Sequence, residues 1–446
     1  MERSLKQALV AWKDHPSRMP LLVRGARQVG KSYLIEEFGR DHFNELVTVN
    51  LEFSPEYKRC FEELDPQQIL NQLRLLTRAK LEAGRSLLFI DEIQMEPRAI
   101  MALRYFKEKM PSLHVIGAGS LLEFALQEEA FSFPVGRIQF MYMRPLSFVE
   151  FLAACGEKRA CELLQELELK SPIDPLFHDY LLKLVRLYFL IGGMPAVVEA
   201  YRQRKDLAEV ELLQGTILDT YRSDFGKYAT RTQHRHLSML FEQLPNTIAQ
   251  PFKYAKVSQE VRSNDLKRAL EQLSWAGLAI RVHATDGSGI PLRFCMKENK
   301  FKVLFLDIGL LQRSHQVDAK ALLESSLLLI SRGVLAEQFV GQELLAYAPP
   351  SEEKRLYFWQ REARGSSAEV DYLVNVESKI LPIEVKAGAT GRLRSIKQFM
   401  EEKGIPLGVR LSEAPLSLEK GILSIPLYLI EQLPRLLESA ARLPTH

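Results

Sequence analysis

Leu21-Leu-Val-Arg-Gly-Ala-Arg-Gln-Val-Gly-Lys-Ser32 runs a short apolar strand (Leu21 to Val23) into a glycine-rich turn, and Tyr33-Leu-Ile-Glu-Glu-Phe38 follows with helical character. Strand, turn and helix in that order are the context a phosphate-binding P-loop requires. Gly25 and Gly30 let the backbone curl so that its N–H groups point inward at phosphate oxygens. Arg27, Gln28 and Val29 within the turn, and Tyr33 after it, belong to the same cofactor-binding set. Lys31 is placed to neutralise the β- and γ-phosphates and Ser32 to hold Mg²⁺, while the helix N-terminus adds its dipole. The stretch predicts a nucleoside triphosphate, ATP with Mg²⁺, as cofactor.

Working outward, Glu45 to Phe53 alternates apolar residues as a second strand does, and residues 56–83 have a helical pattern. Ser86-Leu-Leu-Phe-Ile-Asp-Glu-Ile-Gln94 then reads as a buried parallel strand ending in two acids, the shape of a Walker B element. Asp91 would bind Mg²⁺ through its water shell, and Glu92 would orient and deprotonate the attacking water. Such a pair standing alone is also what a solvated strand end looks like; downstream of a P-loop the functional reading gains. A third buried strand, His114-Val-Ile-Gly-Ala-Gly-Ser120, puts Ser120 forward as a γ-phosphate sensor or as a helix N-cap for Leu121-Leu-Glu-Phe124. Arg137, in Phe133-Pro-Val-Gly-Arg137, is either an arginine finger for a neighbouring subunit or a surface residue.

The chain has 446 residues, 46% of them hydrophobic, which suggests about two to four domains with separate cores. A net charge of +3 excludes a polycation, so any nucleic-acid contact needs a local basic patch. Cys60, Cys155, Cys161 and Cys295 have no zinc or C-x-x-C spacing, and reduced thiols in a cytoplasmic protein are the default reading. Residues 2–18 read as an amphipathic helix without a signal core, and Leu181 to Val198 is interrupted by Lys183 and Arg186. A soluble protein with no membrane contact is expected.

Gly-Ala-Arg-Gln-Val-Gly-Lys-Ser, Asp-Glu-Ile-Gln and the Gly-Arg before Arg144-Pro-Leu-Ser-Phe-Val-Glu-Phe151 together resemble a widespread group of prokaryotic AAA-type ATPases. Ile191-Gly-Gly-Met-Pro195 fits the same resemblance. It implies a five-stranded parallel sheet over residues 1–150 and a helical lid over 151–230, with Pro195 against adenine. Homo-oligomers are compatible with such a core, as is a monomeric switch.

Residues 231–315 show two helical patterns, 233–249 and 258–278, then strands at Leu278 to Ala284 and near Leu292 to Met296. This is the order of a winged helix, in which Lys267 and Arg268 would serve a DNA contact or simply form a solvated helix face. Lys300 to Leu310 resembles the link seen in the same ATPase group, and no chemistry is evident for Asp307.

Residues 316–446 carry Glu337 on a helix pattern (333–347) and three strands: Arg355 to Trp359, Glu369 to Val376, and Ile380 to Ala387. Glu384 and Lys386, two apart, project from one side of their strand, and Asp371 on a neighbouring strand can converge on them. Two carboxylates and a lysine can hold Mg²⁺ and activate a water against a phosphodiester. The set resembles the PD-(D/E)XK nuclease superfamily, with Glu337 and Gln398 extending the likeness, and the AAA group above carries such a domain. The expected fold is therefore α/β: a P-loop NTPase parallel sheet with a helical lid, a winged-helix-like domain and a C-terminal α/β nuclease-like (PD-(D/E)XK) domain.

Two functions stay open. In one, the nucleotide state of the ATPase controls a nuclease, with Asp371, Glu384 and Lys386 catalytic and Asp371 and Glu384 as metal ligands, acting on DNA or RNA. In the other, the terminal domain is catalytically inactive and recognises a partner. A kinase lacks any acceptor-site motif.

Overall fold

Leu87, Leu88, Phe89 and Ile90 are apolar without alternation, a pattern only a strand covered on both faces accepts. They form β3 (Ser86–Asp91), buried along its whole length. Around it lie β1 (Leu21–Arg24), β2 (Glu45–Asn50), β4 (His114–Gly119) and β5 (Gln139–Tyr142), in the order β2-β3-β4-β1-β5. Each neighbouring pair is parallel, as expected. The P-loop, the Asp91-Glu92 pair and Ser120 all follow strand C-terminal ends and so share one edge of the sheet. The computed structural model describes the chain apart from residues 121, 123, 125–135, 171, 172, 228, 316–328, 363–367, 389, 390 and 443–446. Among the described residues no helix is long and apolar enough to cross a membrane.

Five helices follow the sheet: Phe148–Cys155, Lys158–Glu166, Pro175–Ile191, Pro195–Arg204 and Leu207–Asp224. The first opens on a capping box in which Ser147 and Glu150 satisfy each other's backbone N–H groups. Helices Arg231–Gln243, Tyr254–Val257 and Ser263–Trp275 come next, ahead of β6 (Ala279–Thr285) and β7 (Met296–Phe305).

Here the structure departs from the expected wing. The hairpin β6-β7 is not a free-standing pair. It forms one edge of an eight-stranded sheet with β8 (Leu356–Gln360), β9 (Glu369–Val376), β10 (Lys379–Val385), β11 (Gly408–Ser412), β12 (Ser417–Glu419) and β13 (Ile422–Pro426). The order is β12-β13-β11-β10-β9-β8-β6-β7, and β6 pairs in parallel with β8 through Val282↔Leu356 and His283↔Tyr357. A hairpin edge otherwise left with open backbone groups is thereby covered. The second strand begins at Met296 rather than Leu292, because a 3-10 turn occupies Leu292–Cys295, and it absorbs most of the stretch read as a link. The sheet thus crosses the boundary drawn at residue 316, which itself lies outside the described residues.

Helix Leu329–Ala346 joins the parts through buried polar side chains. Gln338 accepts from Phe305 N (2.9 Å) and donates to Phe305 O (2.8 Å), both at the end of β7. Gln342 accepts from Ile308 N (2.9 Å) and donates to the Tyr188 hydroxyl (2.8 Å) of helix Pro175–Ile191. Glu343 accepts from Phe148 N (3.0 Å), an N–H left open at the start of its helix. Each of these buried side chains is satisfied by specific partners, which defines how the helix packs.

Burial pushes the Glu343 carboxyl from its ordinary 4.5 up to about 8, only partly opposed by the Tyr347 hydroxyl and the Phe148 N–H. With the folded value above the unfolded one, the folded state holds the proton more tightly, so its contribution falls as pH rises from about 4.5 through about 8. Glu343→Gln removes this titration. Its unfolding free energy, measured by urea titration, should decline less than the wild type's between pH 5 and about 8.

Candidate functional site

The turn after β1 is shaped by close backbone approach. Gly25 has φ of +155°, and a Cβ there would lie 2.3 Å from the Met143 carbonyl oxygen, so no side chain fits. The Lys31 ammonium is nearly buried and donates to Gly25 O (2.9 Å) and Ala26 O (2.8 Å). Burial lowers its pKa to about 8, against the pull of Glu92 and Asp91. A desolvated cation resting on carbonyl dipoles, at the start of helix Lys31–His42, suits a polyphosphate. The Ser32 hydroxyl donates to both oxygens of Asp91 at 3.0 Å, and Asn50 Nδ2 donates to Asp91 Oδ2 at 3.1 Å. Burial, then the Glu92 charge, raises the Asp91 carboxyl above its ordinary range. A hydroxyl and a carboxylate so placed are the hard oxygen donors Mg²⁺ takes beside phosphates.

Glu92 has φ of +48° and accepts from Gln94 Nε2 at 2.6 Å and from the Ser120 hydroxyl at 3.4 Å. Ser120 therefore meets the acid pair, as a sensor position requires; the competing N-cap reading involves residues 121 and 123, outside the described residues. Arg137 precedes β5, at the end of the sheet away from the P-loop, and pairs with Glu108 (3.3 Å). Residues 133–135 before it are outside the described set.

The lid meets the loop directly. Arg27 pairs with Asp224 of helix Leu207–Asp224 (2.8 Å), and the Tyr221 hydroxyl donates to Arg27 O (2.7 Å). Arg27 thus ties loop to lid by its side chain. Pro195 lies beside Gly30, its Cγ 3.5 Å from where a Cβ on that residue would stand. Gln28 adopts positive φ (+66°), Val29 is buried with its carbonyl accepting from Arg3 (3.1 Å), and Tyr33 is 60% exposed. Trp275, at the end of helix Ser263–Trp275, packs edge-on against Phe124, and Gly277 abuts Ala26 of the loop.

In the C-terminal sheet, Asp371 and Glu384 stand on adjacent antiparallel strands, next to the paired residues Tyr372 and Ile383. Asp371 Oδ2 accepts from Val385 N (2.7 Å), and the Lys386 ammonium donates to Glu384 Oε1 (2.6 Å). The structure therefore brings Asp371, Glu384 and Lys386 together. It also adds what the sequence reading missed. Lys302 of β7, 1% exposed, reaches Glu337 (2.7 Å), Glu369 (2.5 Å) and Asp371 (3.7 Å). Burial disfavours that charge, but Glu337, Asp371 and Glu369 outweigh it and hold the ammonium above its ordinary value. Burial raises the Glu337 carboxyl, opposed by Lys302, and raises the Glu384 carboxyl, reinforced by Asp371.

Lys302 thus supplies positive charge from within the chain to Asp371, one of the two expected metal ligands. Among the described residues no group of three or more His, Cys, Asp or Glu is placed to hold a metal ion. Gln398 does not join the cluster through a hydrogen bond but donates to Glu402 along its own helix (3.0 Å). The one available signal was that Lys302 falls, by alternation, on the same strand face as Leu304 and Leu306, which puts a lysine among apolar residues.

Residues 17–152 match the family model described as AAA domain. The N-terminal part of the chain is similar to an AAA-type P-loop ATPase domain. Residues 182–321 and 332–430 match two models each described as a domain of unknown function (DUF8612 and DUF4143), which assign no activity. No curated protein matches the chain. Among solved structures, the Orc1 protein of Aeropyrum pernix in complex with DNA is 13% identical, covering 72% of this chain and 92% of its own, with a TM-score of 0.29. The RuvB Holliday junction branch migration motor of Thermotoga maritima is 17% identical, covering 62% and 87%, with a TM-score of 0.29. AMPPCP-bound DnaA from Aquifex aeolicus is 13% identical, covering 60% and 85%, with a TM-score of 0.25. At such scores the chains do not superpose as wholes, and what those proteins bind is theirs alone.

Removing the Lys302 charge leaves buried carboxylates facing one another. Lys302→Met should cost about 3–5 kcal/mol in urea unfolding. Adding Glu337→Gln, which removes one of those charges, should recover part of the loss.

Proposed function

We propose that the protein binds and hydrolyses ATP between the P-loop, the Asp91-Glu92 pair and the lid, and that nucleotide state acts on a C-terminal recognition unit. The observation that carries this is the convergence of Lys31, Ser32 and Asp91 beneath a P-loop whose Arg27 is clamped to the lid by Asp224. Mg²⁺, held by Ser32 and through water by Asp91, would supply charge neutralisation at the phosphates. Lys31 neutralises the β- and γ-phosphate oxygens, and the turn from Gly25 through Gly30 presents N–H groups to them. Glu92 orients the attacking water and accepts its proton, with Gln94 and Ser120 fixing the carboxylate. Tyr33 and Pro195 flank the loop where the base would lie. Arg137, remote from its own P-loop and half-exposed, would reach a neighbouring copy in a homo-oligomer by leaving its pair with Glu108.

For the C-terminal part, the Lys302 ammonium among Glu337, Glu369 and Asp371 favours recognition over cleavage. That cation already answers the carboxylates a divalent ion would need. A second reading, a Mg²⁺-dependent nuclease with catalytic Asp371, Glu384 and Lys386, is favoured by one observation. Glu384 Oε2 is buried without a hydrogen-bond partner, as a ligand atom awaiting an ion would be.

Lys31→Ala should abolish ATP binding in a fluorescent-nucleotide titration. Glu92→Gln should bind ATP as the wild type does but release phosphate roughly a hundredfold more slowly. Normal turnover in either variant contradicts the site. Incubating wild type and Asp371→Ala with labelled single- and double-stranded DNA and RNA in Mg²⁺ separates the two C-terminal readings. No cleavage by either supports recognition, whereas cleavage lost in the variant establishes the nuclease.

A further inference from the structure

The sheet that carries the acidic cluster also carries a basic surface that none of the roles above uses. Arg281 and His283 alternate along β6 and share one face, and His283 stands opposite Tyr357 of β8, so Arg355 extends the same face across the strand pair. The Arg281 guanidinium lies 5.3 Å from the centre of the Phe301 ring, and the His283 ring is 5.9 Å from it. Arg293, on the turn Leu292–Cys295 over the same strands, lies with Arg355 within electrostatic reach of the Tyr357 hydroxyl. Beside it Phe294 is 84% exposed.

Several polar atoms of these groups have no hydrogen-bond partner among the described residues. Among the described residues, Arg281, Arg293 and Arg355 form no ion pair, whereas nearby Lys297 is bound to Glu362. Arg281 Nε and Nη2 and His283 Nδ1 are shielded from solvent with no hydrogen-bond partner. Burial, with Arg281 and Arg355 close by, holds the imidazole below its ordinary value despite Glu298. Desolvated guanidinium N–H groups without acceptors are costly unless an anion completes them.

We propose that Arg281, Arg355 and Arg293, with Phe294 beside them, form a binding surface for single-stranded nucleic acid, phosphates meeting the guanidinium groups and a base stacking on the exposed ring. A single strand is favoured over a duplex because the exposed ring can stack only on an unpaired base. It is favoured over an acidic peptide, whose carboxylate side chains would meet the guanidinium groups but have no flat face to stack on that ring. Each nucleotide carries both a phosphate and a base. The inference rests on the recognition reading of the C-terminal unit and names its partner. It also places the contact on the sheet rather than at Lys267 and Arg268, which are exposed on helix Ser263–Trp275.

The test is fluorescence anisotropy with full-length protein and fluorescein-labelled single-stranded DNA and RNA of mixed sequence, in EDTA so that cleavage cannot interfere, over a salt series. Wild type should bind with an affinity that falls as salt rises. The double variant Arg281→Ala, Arg355→Ala should weaken binding about tenfold or more and flatten the salt slope by about 0.7 per lost phosphate contact. Phe294→Ala should weaken binding about tenfold with the slope unchanged. Phe294 and Arg293 are exposed, so their variants carry the test if the double variant does not fold; ATP hydrolysis at the wild-type rate marks a folded protein. The proposal is overturned if wild type binds neither polymer, if it prefers polyglutamate, or if only Lys267→Ala, Arg268→Ala reduces binding. Normal ATP hydrolysis beside any of these would leave the ATPase reading standing. Strand binding by a protein that cannot hydrolyse ATP would do the reverse.

Discussion

Asp307 is completely buried, and its carboxylate stays there because backbone N–H groups surround it. It accepts from Gly193 N at 2.6 Å and from Leu310 N at 3.1 Å. Burial pushes the carboxyl up to about 6, and the N–H groups of Gly193, Leu310 and Gly309 pull it back. One side of this contact is the Gly192-Gly193 turn, which leads into helix Pro195–Arg204; the other follows β7. A Cβ on Gly192 would lie 2.1 Å from Asp307 Oδ1, so the turn must be glycine for the carboxylate to reach it. The residue that places Pro195 beside the P-loop is therefore anchored by the strand that carries Lys302.

Helix Leu329–Ala346 extends the same link. Glu337 belongs to the ion cluster with Lys302, while Gln342 and Glu343 reach the lid through Tyr188 and Phe148. A helix with so many buried polar groups gains little from the hydrophobic effect at those positions. What it gains is a single allowed register, because any slip would leave several buried donors and acceptors unpaired. A displacement of the lid around a nucleotide must either carry this helix along or break those bonds. Under the proposed function, these contacts are the route by which nucleotide state would reach the eight-stranded sheet.

The ion cluster and the basic face lie on the same sheet and differ in one respect. Around Lys302 the chain supplies both signs of charge, so the cluster is internally answered and serves to hold β7, β9 and helix Leu329–Ala346 together. Around Arg281 the described residues place cations and rings with no carboxylate ion-paired to the guanidinium. Unanswered charge at a surface is a demand on a partner, whereas answered charge in an interior is a constraint on the fold.

Much of the ATPase part was legible in the sequence because its determinants are local. The glycine spacing, Lys31-Ser32 and the apolar run ending at Asp91-Glu92 each specify a strand, its termination and the chemistry at its end within about a dozen residues. Several helices and strands of the later parts up to Ala387 were also readable from periodicity, as was the convergence of Asp371, Glu384 and Lys386, whereas β11 to β13 were not. What the sequence could not yield was strand partnership. Whether β6 and β7 stand alone or join β8 depends on which distant edge is free, and no local pattern encodes that. The same holds for Lys302, Asp307 and Arg27. Each looks like an ordinary charged residue until the fold brings Glu337, Gly193 or Asp224 against it. The chemistry of the phosphate site was written in contiguous residues, whereas the coupling between parts was decided by buried charges whose partners lie far away along the chain.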